Sequence, residues 1–220
     1  TGEVKVTFHQ ENQAAIERAL FFGDDKYVVS TGVNREIRTW DASTGKQLMA
    51  LAGHKNWVGQ LVVLPSSSGK SLALSGGMDK TVRLWDLTAG KEIAHAQFGG
   101  GVTAMALSPD GSRLYCAITS RVIRVLNPLT CKTIKVLKDP RGLGTMCLAV
   151  SPDGKSLLMG NYKNQARLLD ATTGKILINL HGHRDTVWNA AFSPDGRFAL
   201  TAGGGTNKPN GKIGKDDAIR

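Results

Sequence analysis

Short apolar runs alternate with polar turns along the whole chain. The runs have β-branched or alternating apolar positions and strand length, a pattern typical of short β-strands. The clearest of them are residues 57–64, 71–75, 81–87, 92–98, 114–118, 146–150 and 4–8. Gly-Gly, Asp-Lys and Gly-Lys pairs separate the runs, and these residues favour tight turns. The pattern predicts an all-β fold.

Two turn motifs recur with one period. Ser-Pro-Asp-Gly starts at Ser108, Ser151 and Ser193, at intervals of about 42 residues. A second turn, of the Thr-Gly-Lys type, recurs with a similar spacing, for example at Lys46 and Lys91. A unit of roughly 40–45 residues with four strands is one blade of a β-propeller. The repeat therefore predicts a propeller.

Several segments resemble the WD repeat. Residues 53–54 (Gly-His), 75–79 (Ser-Gly-Gly-Met-Asp) and 82–86 (Val-Arg-Leu-Trp-Asp) look like one complete copy. Residues 37–41, which end in Trp-Asp, and residues 182–183, a second Gly-His, mark further copies. The resemblance implies a WD-type (WD40) β-propeller, a fold that hosts many binding functions.

The resemblance covers the whole chain in five consecutive repeat units. Their approximate bounds are residues 1–43, 44–88, 89–129, 130–172 and 173–220. The first unit begins at the turn that follows a Trp-Asp pair, and the fifth ends before its Trp is reached. We therefore expect truncation at one or both ends and a larger ring of about seven blades. A closed five-unit ring, in which residues 4–8 pair with the last strand, is the alternative.

The resemblance also implies a buried hydrogen-bond network within each repeat. Repeat two has a complete set, His54, Ser75, Asp79 and Trp85. A buried imidazole and a buried indole N–H both need partners, which such a chain supplies. Partial sets in repeats one and five complete the predicted structural network: Ser30, Asn34, Trp40, His183, Thr201 and Asp216.

Repeats three and four depart from this pattern. Leu126 and Leu169 stand where Trp is expected, and Ser120 and Lys163 replace the Asp. We expect these repeats to depend on apolar packing.

No motif in the chain predicts catalysis or a cofactor. His54, Ser75 and Asp79 are the residue types of a hydrolase triad, but Ser75 lies within a strand pattern rather than on an exposed nucleophile turn. The glycine runs lack the Lys-Ser/Thr of a phosphate loop. The pair His181 and His183 lacks a third ligand nearby, so no metal site is predicted. We expect a non-catalytic protein.

A partner-binding face is implied by the resemblance. In this family, variable side chains on the loop before the first strand and the turn before the third strand face binding partners. At these positions the candidate residues are Trp57, Trp188, Tyr162, Met78 and Lys215. Large amphipathic aromatics are common binding hot spots, although half-buried packing is an equal alternative for either Trp.

Charge adds detail to the expected partner. The chain carries a formal net charge of +10, and a basic loop at 203–215 would suit an acidic protein or peptide. A nucleic-acid-associated subunit and the sensor or scaffold part of a larger enzyme, such as a protein kinase, are the two alternatives. An odd number of cysteines favours an intracellular, cytoplasmic location, and the lack of a long apolar stretch predicts no membrane insertion.

Overall fold

The computed structural model describes residues 5–9, 14–65, 69–120, 122–138 and 144–204. The described residues form β-strands and no helix, and the strands are numbered β1 to β18 along the chain. This confirms the predicted all-β class. Two compact units divide the chain and are described one at a time. Unit 1 comprises residues 1–102 and 129–131, and unit 2 comprises residues 103–128 and 132–220.

Unit 1 contains two four-stranded antiparallel sheets, each with its strands in sequence order. The first sheet consists of β1 (Ile16–Phe22), β2 (Tyr27–Gly32), β3 (Ile37–Asp41) and β4 (Gln47–Leu51). The second sheet consists of β5 (Val58–Val63), β6 (Leu72–Gly77), β7 (Thr81–Asp86) and β8 (Lys91–Gln97). One apolar core includes Val29 and Ile37 of the first sheet and Val58, Leu61 and Trp85 of the second.

Unit 2 contains two more sheets of the same kind and a hairpin. The third sheet consists of β9 (Val102–Leu107), β10 (Leu114–Ile118), β11 (Val122–Leu126) and β12 (Thr133–Lys138). The fourth consists of β13 (Thr145–Val150), β14 (Ser156–Asn161), β15 (Ala166–Asp170) and β16 (Ile176–Leu180). The hairpin pairs β17 (Val187–Phe192) with β18 (Ala199–Gly203).

The predicted strands agree closely with these bounds, with one exception. Residues 114–118 form β10 as predicted, and residues 81–87 contain β7. Residues 5–8, however, lie outside any strand, so the predicted strand at 4–8 is wrong for the part that is described. The Phe8 ring instead stands edge-on to Trp40, with ring centroids 6.0 Å apart. Apolar alternation alone did not distinguish a strand from an extended segment that packs through one aromatic ring.

The Ser-Pro-Asp-Gly turns are built alike in all three copies. Ser108 Oγ donates to Asp110 Oδ1 and accepts from the Arg113 N–H at 2.9 Å, while Gly111 adopts a left-handed φ of 69°. The same bonds recur around Ser151 and Ser193. Hydrogen bonds from Ser108 and Ser112 hold the pKa of Asp110 at about 2.

Strand register gives every sheet equivalent positions. Ser30 pairs with Arg38, Ser75 with Arg83, Cys116 with Arg124 and Met159 with Arg167. The Trp or Leu of each repeat follows two residues after that Arg. The polar network and its apolar replacement therefore occupy the same place in successive sheets. Among the described residues there is no helix long and apolar enough to cross a membrane.

Candidate functional site

His54, Ser75, Asp79 and Trp85 form one hydrogen-bonded chain in the second sheet. His54 Nε2 lies 2.7 Å from Ser75 Oγ, and His54 Nδ1 lies 2.9 Å from Asp79 Oδ2. Trp85 Nε1 donates to Ser75 Oγ at 2.7 Å. We assign the ring proton to Nδ1, because a carboxylate only accepts. Ser75 then donates to Nε2 and accepts from the indole, so all of these groups have partners.

The charge states fit this assignment. Burial lowers the pKa of His54 below its usual 6.5, and neighbouring Asp79 opposes the shift without reversing it. Burial by itself would raise the pKa of Asp79, but hydrogen bonds from the Lys55 N–H and the Thr81 hydroxyl outweigh it, and the pKa lies below 3.8. At neutral pH the pair is a neutral imidazole beside an ionised carboxylate.

The Ser75, His54 and Asp79 distances resemble those of a hydrolase triad, but the surroundings do not. Ser75 has an exposed fraction of 0%, so a substrate carbonyl cannot approach its Oγ. The hydroxyl is also occupied by the Trp85 N–H. A nucleophilic serine needs access and nearby donors for an oxyanion. The geometry therefore stabilises the sheet rather than supporting acyl transfer.

The first sheet carries a shorter version of this network. Trp40 Nε1 donates to Ser30 Oγ at 2.8 Å. Asn34 was also predicted to take part, and its Nδ2 is buried without a hydrogen-bond partner among the described residues. The residue at the His position is Asn12, which lies outside the described residues.

In the hairpin, His183 Nε2 lies 2.8 Å from Thr201 Oγ1. Asp216, the remaining predicted member of this network, lies outside the described residues.

Leucine replaces the network in the third and fourth sheets. Leu126 and Leu169 are 0% and 1% exposed. The Ser position of these sheets holds Cys116 and Met159, which are also buried. Replacing both hydrogen-bond partners with apolar groups leaves no buried donor unpaired. In these two sheets both positions therefore hold residues that do not need the polar network.

Asn161 is a turn residue that the sequence analysis missed. Its Oδ1 accepts the backbone N–H groups of Lys163 at 2.8 Å and Gln165 at 3.2 Å. It organises the turn of the fourth sheet, where Lys163 stands at the Asp position and cannot accept a hydrogen bond. The signal was an Asn two residues before that position, since Asn commonly bonds to the backbone two residues on.

Trp57 and Met78 are neighbours on two connected turns of unit 1. Trp57 is 36% exposed, and its carbonyl accepts the Met78 N–H at 2.8 Å. The Trp57 N–H donates to Asn56 Oδ1 at 2.8 Å. The ring covers Gly59, where an added Cβ would lie 3.3 Å from Trp57 Cζ2. The indole is thus held in place while one part of it faces solvent.

Trp188 stands out from unit 2 because of a β-bulge. The register of β17 against β18 shifts between Val187 and Asn189, which leaves Trp188 as the extra residue. Bulges commonly redirect a side chain, and Trp188 is 47% exposed while Val187 is fully buried. Its Nε1 donates to Gly204 O at 3.2 Å.

Tyr162 lies on the adjoining turn of unit 2. It is 45% exposed and its ring lies so close to Gly144 that an added Cβ there would come within 2.5 Å of it. Asn164 Nδ2 donates to Arg184 O at 2.9 Å, which connects this turn to the loop before Trp188. Lys215, the fifth candidate, lies outside the described residues.

Within the described ranges, no group of three or more His, Cys, Asp or Glu side chains is arranged to hold a metal ion. The three cysteines, Cys116, Cys131 and Cys147, are buried and form no disulfide. Burial, as the largest effect, raises the pKa of Cys131 to about 11. This thiol is therefore protonated at neutral pH and a poor nucleophile.

Comparison with known proteins places these features in a family. The model of the WD domain, G-beta repeat, matches residues 45–86 and 174–208. The chain is 31% identical over 98 residues to meiotic recombination protein rec14 of Schizosaccharomyces pombe, covering 44% of this chain and 32% of the relative. It is 31% identical over 175 residues to nuclear distribution protein PAC1 of Arthroderma benhamiae, covering 79% of this chain and 33% of the relative.

A third relative is the human apoptotic protease-activating factor 1, with 26% identity over 202 residues, 88% of this chain and 16% of the relative. The chain thus spans a third or less of the length of each of these relatives. The first matched range includes β5 to β7 and the set of His54, Ser75, Asp79 and Trp85, and the second includes the β17–β18 hairpin with His183 and Thr201. The chain belongs to the WD-repeat family.

Proposed function

We propose that this chain is a non-catalytic interaction platform that binds a peptide or protein partner through Trp57 and Trp188, with Met78 and Tyr162 beside them. WD-repeat domains generally act as protein-interaction scaffolds. Of the four tryptophans, two are 1% exposed, whereas Trp57 and Trp188 are 36% and 47% exposed. This contrast is the observation that carries the proposal.

The exposed aromatics are suited to recognition because their backbones are fixed. Hydrogen bonds with Asn56 and Met78 hold the Trp57 segment, and the Gly204 carbonyl accepts the Trp188 indole N–H. A rigid aromatic loses little conformational entropy when a partner covers it. Burying such a side chain at an interface commonly contributes about 2 kcal/mol or more.

Selection from a displayed library of random peptides tests the proposal. Peptides that bind the immobilised chain are resynthesised, and their affinities are measured for the chain and for Trp57→Ala and Trp188→Ala. We expect an affinity loss of roughly thirtyfold for at least one Trp variant. Phe198→Ala is the matched control, since Phe198 is 66% exposed at the opposite end of β18 from Gly204.

Melting temperatures must stay close to that of the unchanged chain in all three variants. Equal losses in Phe198→Ala and the Trp variants would contradict the proposal, as would a set of binders that depends on neither Trp.

We also propose an intracellular location, since none of the three cysteines forms a disulfide and disulfides are rare in reducing compartments. Microscopy of the tagged full-length protein tests this, and a secreted signal would contradict it.

A further inference from the structure

We infer that the partner segment is acidic, with carboxylates next to apolar side chains, and that clusters of two cations beside exposed aromatic side chains bind it. This inference rests on the proposed function, because it concerns the same turns. One cluster occurs in each unit. The unit 1 cluster is Lys55, Trp57, Met78 and Lys80, and the unit 2 cluster is Tyr162, Lys163, Arg184 and Trp188.

The unit 1 cluster has two exposed lysines on a rigid backbone. Lys55 follows the buried His54, and its N–H donates to Asp79 Oδ2 at 2.9 Å. Lys80 lies on the same turn with a left-handed φ of 70°, and its N–H donates to Gly77 O at 3.2 Å. Both side chains are exposed. Two positive charges thus flank the Trp57 and Met78 surface.

The unit 2 cluster repeats this arrangement with different residues. Lys163 Nζ lies 6.0 Å from the centroid of the Tyr162 ring, and both side chains are exposed. Arg184 follows the buried His183, as Lys55 follows His54, and is also exposed. The bond from Asn164 Nδ2 to Arg184 O connects the two segments. Positive charge beside an apolar surface is therefore a recurring property of these turns.

These turns contain one carboxylate for every two cationic residues. Residues 52–57 and 77–81 contain one acidic residue, Asp79, whose side chain is 5% exposed and bonded to the Lys55 N–H, His54 and Thr81. Residues 161–165 and 181–186 also contain one, Asp185, whose Oδ1 accepts the Thr186 N–H at 2.7 Å. Each cluster thus contains two exposed cationic residues and one carboxylate that accepts a backbone hydrogen bond.

The chemistry favours an acidic peptide over a polynucleotide. Lysine is a point charge that pairs with a single carboxylate as well as with phosphate. Trp57, Tyr162 and Trp188 expose apolar surface close in the chain to these cations, and apolar side chains cover such surface best. A segment in which Asp or Glu flanks an apolar residue satisfies both requirements at once.

Synthetic probes test the charge requirement directly. The acidic probe is a short labelled peptide that alternates Glu with Leu and Phe, and its matched probe has Gln in place of every Glu. Single-stranded oligouridylate is the polyanion probe. Affinities for the chain are measured by anisotropy at about 50 and 300 mM salt, because attraction between exposed charges is screened as the Debye length shortens. We expect the Glu peptide to bind at low salt at least tenfold more tightly than the other two probes, and to weaken as salt rises.

Charge reversal shows where the acidic peptide binds. Lys55→Glu with Lys80→Glu changes the unit 1 cluster, and Lys163→Glu with Arg184→Glu changes the unit 2 cluster. Lys91→Glu with Lys175→Glu is the control, since it alters net charge equally at exposed positions outside both clusters. We expect at least one cluster variant to lose about tenfold in affinity, mainly through slower association, and the control to lose less than about twofold. Lys55→Glu alone repeats the test without changing the left-handed residue Lys80.

Three results would overturn the inference: equal binding of the Gln peptide, equal losses in the control variant, or binding of oligouridylate without binding of the Glu peptide. Failure of the Glu peptide to bind at all would also overturn it. If the selected peptides depend on Trp188 but carry no acidic residues, the acidic-partner inference is refuted and the proposed interaction platform still stands. If the selected peptides depend on neither Trp, the proposed interaction platform is refuted as well.

Discussion

The buried tryptophans of the third strands and the exposed tryptophans around the start of the first strands give opposite uses to one side chain. Trp40 and Trp85 are 1% exposed, and each donates its indole N–H to a serine of the neighbouring strand. Trp57 and Trp188 flank the first residue of a first strand and keep 36% and 47% of their surface in solvent. Position in the repeat, and not residue type, decides which tryptophan stabilises the sheet and which can meet a partner.

The largest expected effect is a loss of stability when a buried tryptophan is removed. Trp85→Ala removes a fully buried aromatic and leaves Ser75 and His54 with an incomplete network. We expect it to lower the free energy of unfolding by about 3–5 kcal/mol, measured by urea denaturation. A loss below about 1 kcal/mol would show that the network does not hold the second sheet.

Leu126→Ala changes the equivalent position in the third sheet, where no hydrogen bond is lost. We expect a smaller loss than for Trp85→Ala, toward the lower end of the about 2–5 kcal/mol typical of buried Leu→Ala. The same urea titration measures it. If Leu126→Ala lowers the free energy of unfolding more than Trp85→Ala does, the polar network contributes less to stability than the account requires.

Ser75→Ala tests the network without removing volume from the core. The Trp85 N–H and His54 Nε2 both lose their partner, and unpaired buried groups cost about 1–3 kcal/mol. Cys116→Ala, at the equivalent position of the third sheet, where Leu126 stands in place of the Trp, is the control and should cost less. Hydrolytic turnover that Ser75→Ala abolishes in a still folded chain would refute the structural interpretation.

Lower pH should weaken the fold through His54 and Asp79. Because the folded pKa of His54 lies below 6.5, the unfolded chain binds more protons there, and stability falls as pH drops below about 6.5. Asp79, whose folded pKa lies below 3.8, loses its stabilising effect only in stronger acid. Melting temperatures between pH 7.5 and 5 should depend less on pH in His54→Gln than in the unchanged chain or in His181→Gln. Equal pH dependence in all three would contradict this.

The smallest stability effect is expected at the exposed tryptophans. Trp57→Ala and Trp188→Ala should change the free energy of unfolding by no more than about 0.5 kcal/mol, as surface substitutions usually do. Urea denaturation beside Trp85→Ala measures the difference. Unfolding of either variant would support the half-buried packing alternative instead of recognition.

Much of the fold could be predicted from the sequence because turns and apolar alternation carry it. The Ser-Pro-Asp-Gly and Thr-Gly-Lys turns set the period, and β7 and β10 fall where the apolar runs predict them. The strand expected at 4–8 failed, since its apolar alternation did not reveal that Phe8 packs on Trp40 without strand pairing. An alternating apolar segment forms a strand only where a neighbouring strand supplies backbone hydrogen bonds.

The candidate site was less predictable. The chemistry of His54, Ser75, Asp79 and Trp85 followed from the motif, but the outward direction of Trp188 depends on a β-bulge that only strand register shows. Asn161 was missed because its role arises from the turn it caps, not from the repeat pattern. The cation clusters combine residues about 25 positions apart, such as Lys55 and Lys80, which the fold connects through Asp79.

Fluorine NMR of the chain labelled with 5-fluorotryptophan tests the central claim most directly, since each of the four tryptophans gives one resonance that single substitutions assign. We predict that exchange from water into D2O shifts the Trp57 and Trp188 resonances, and that a selected peptide shifts one or both of them while Trp40 and Trp85 stay unchanged. Peptide-induced shifts at Trp40 or Trp85, with Trp57 and Trp188 unmoved, would contradict the division between stabilising and binding tryptophans.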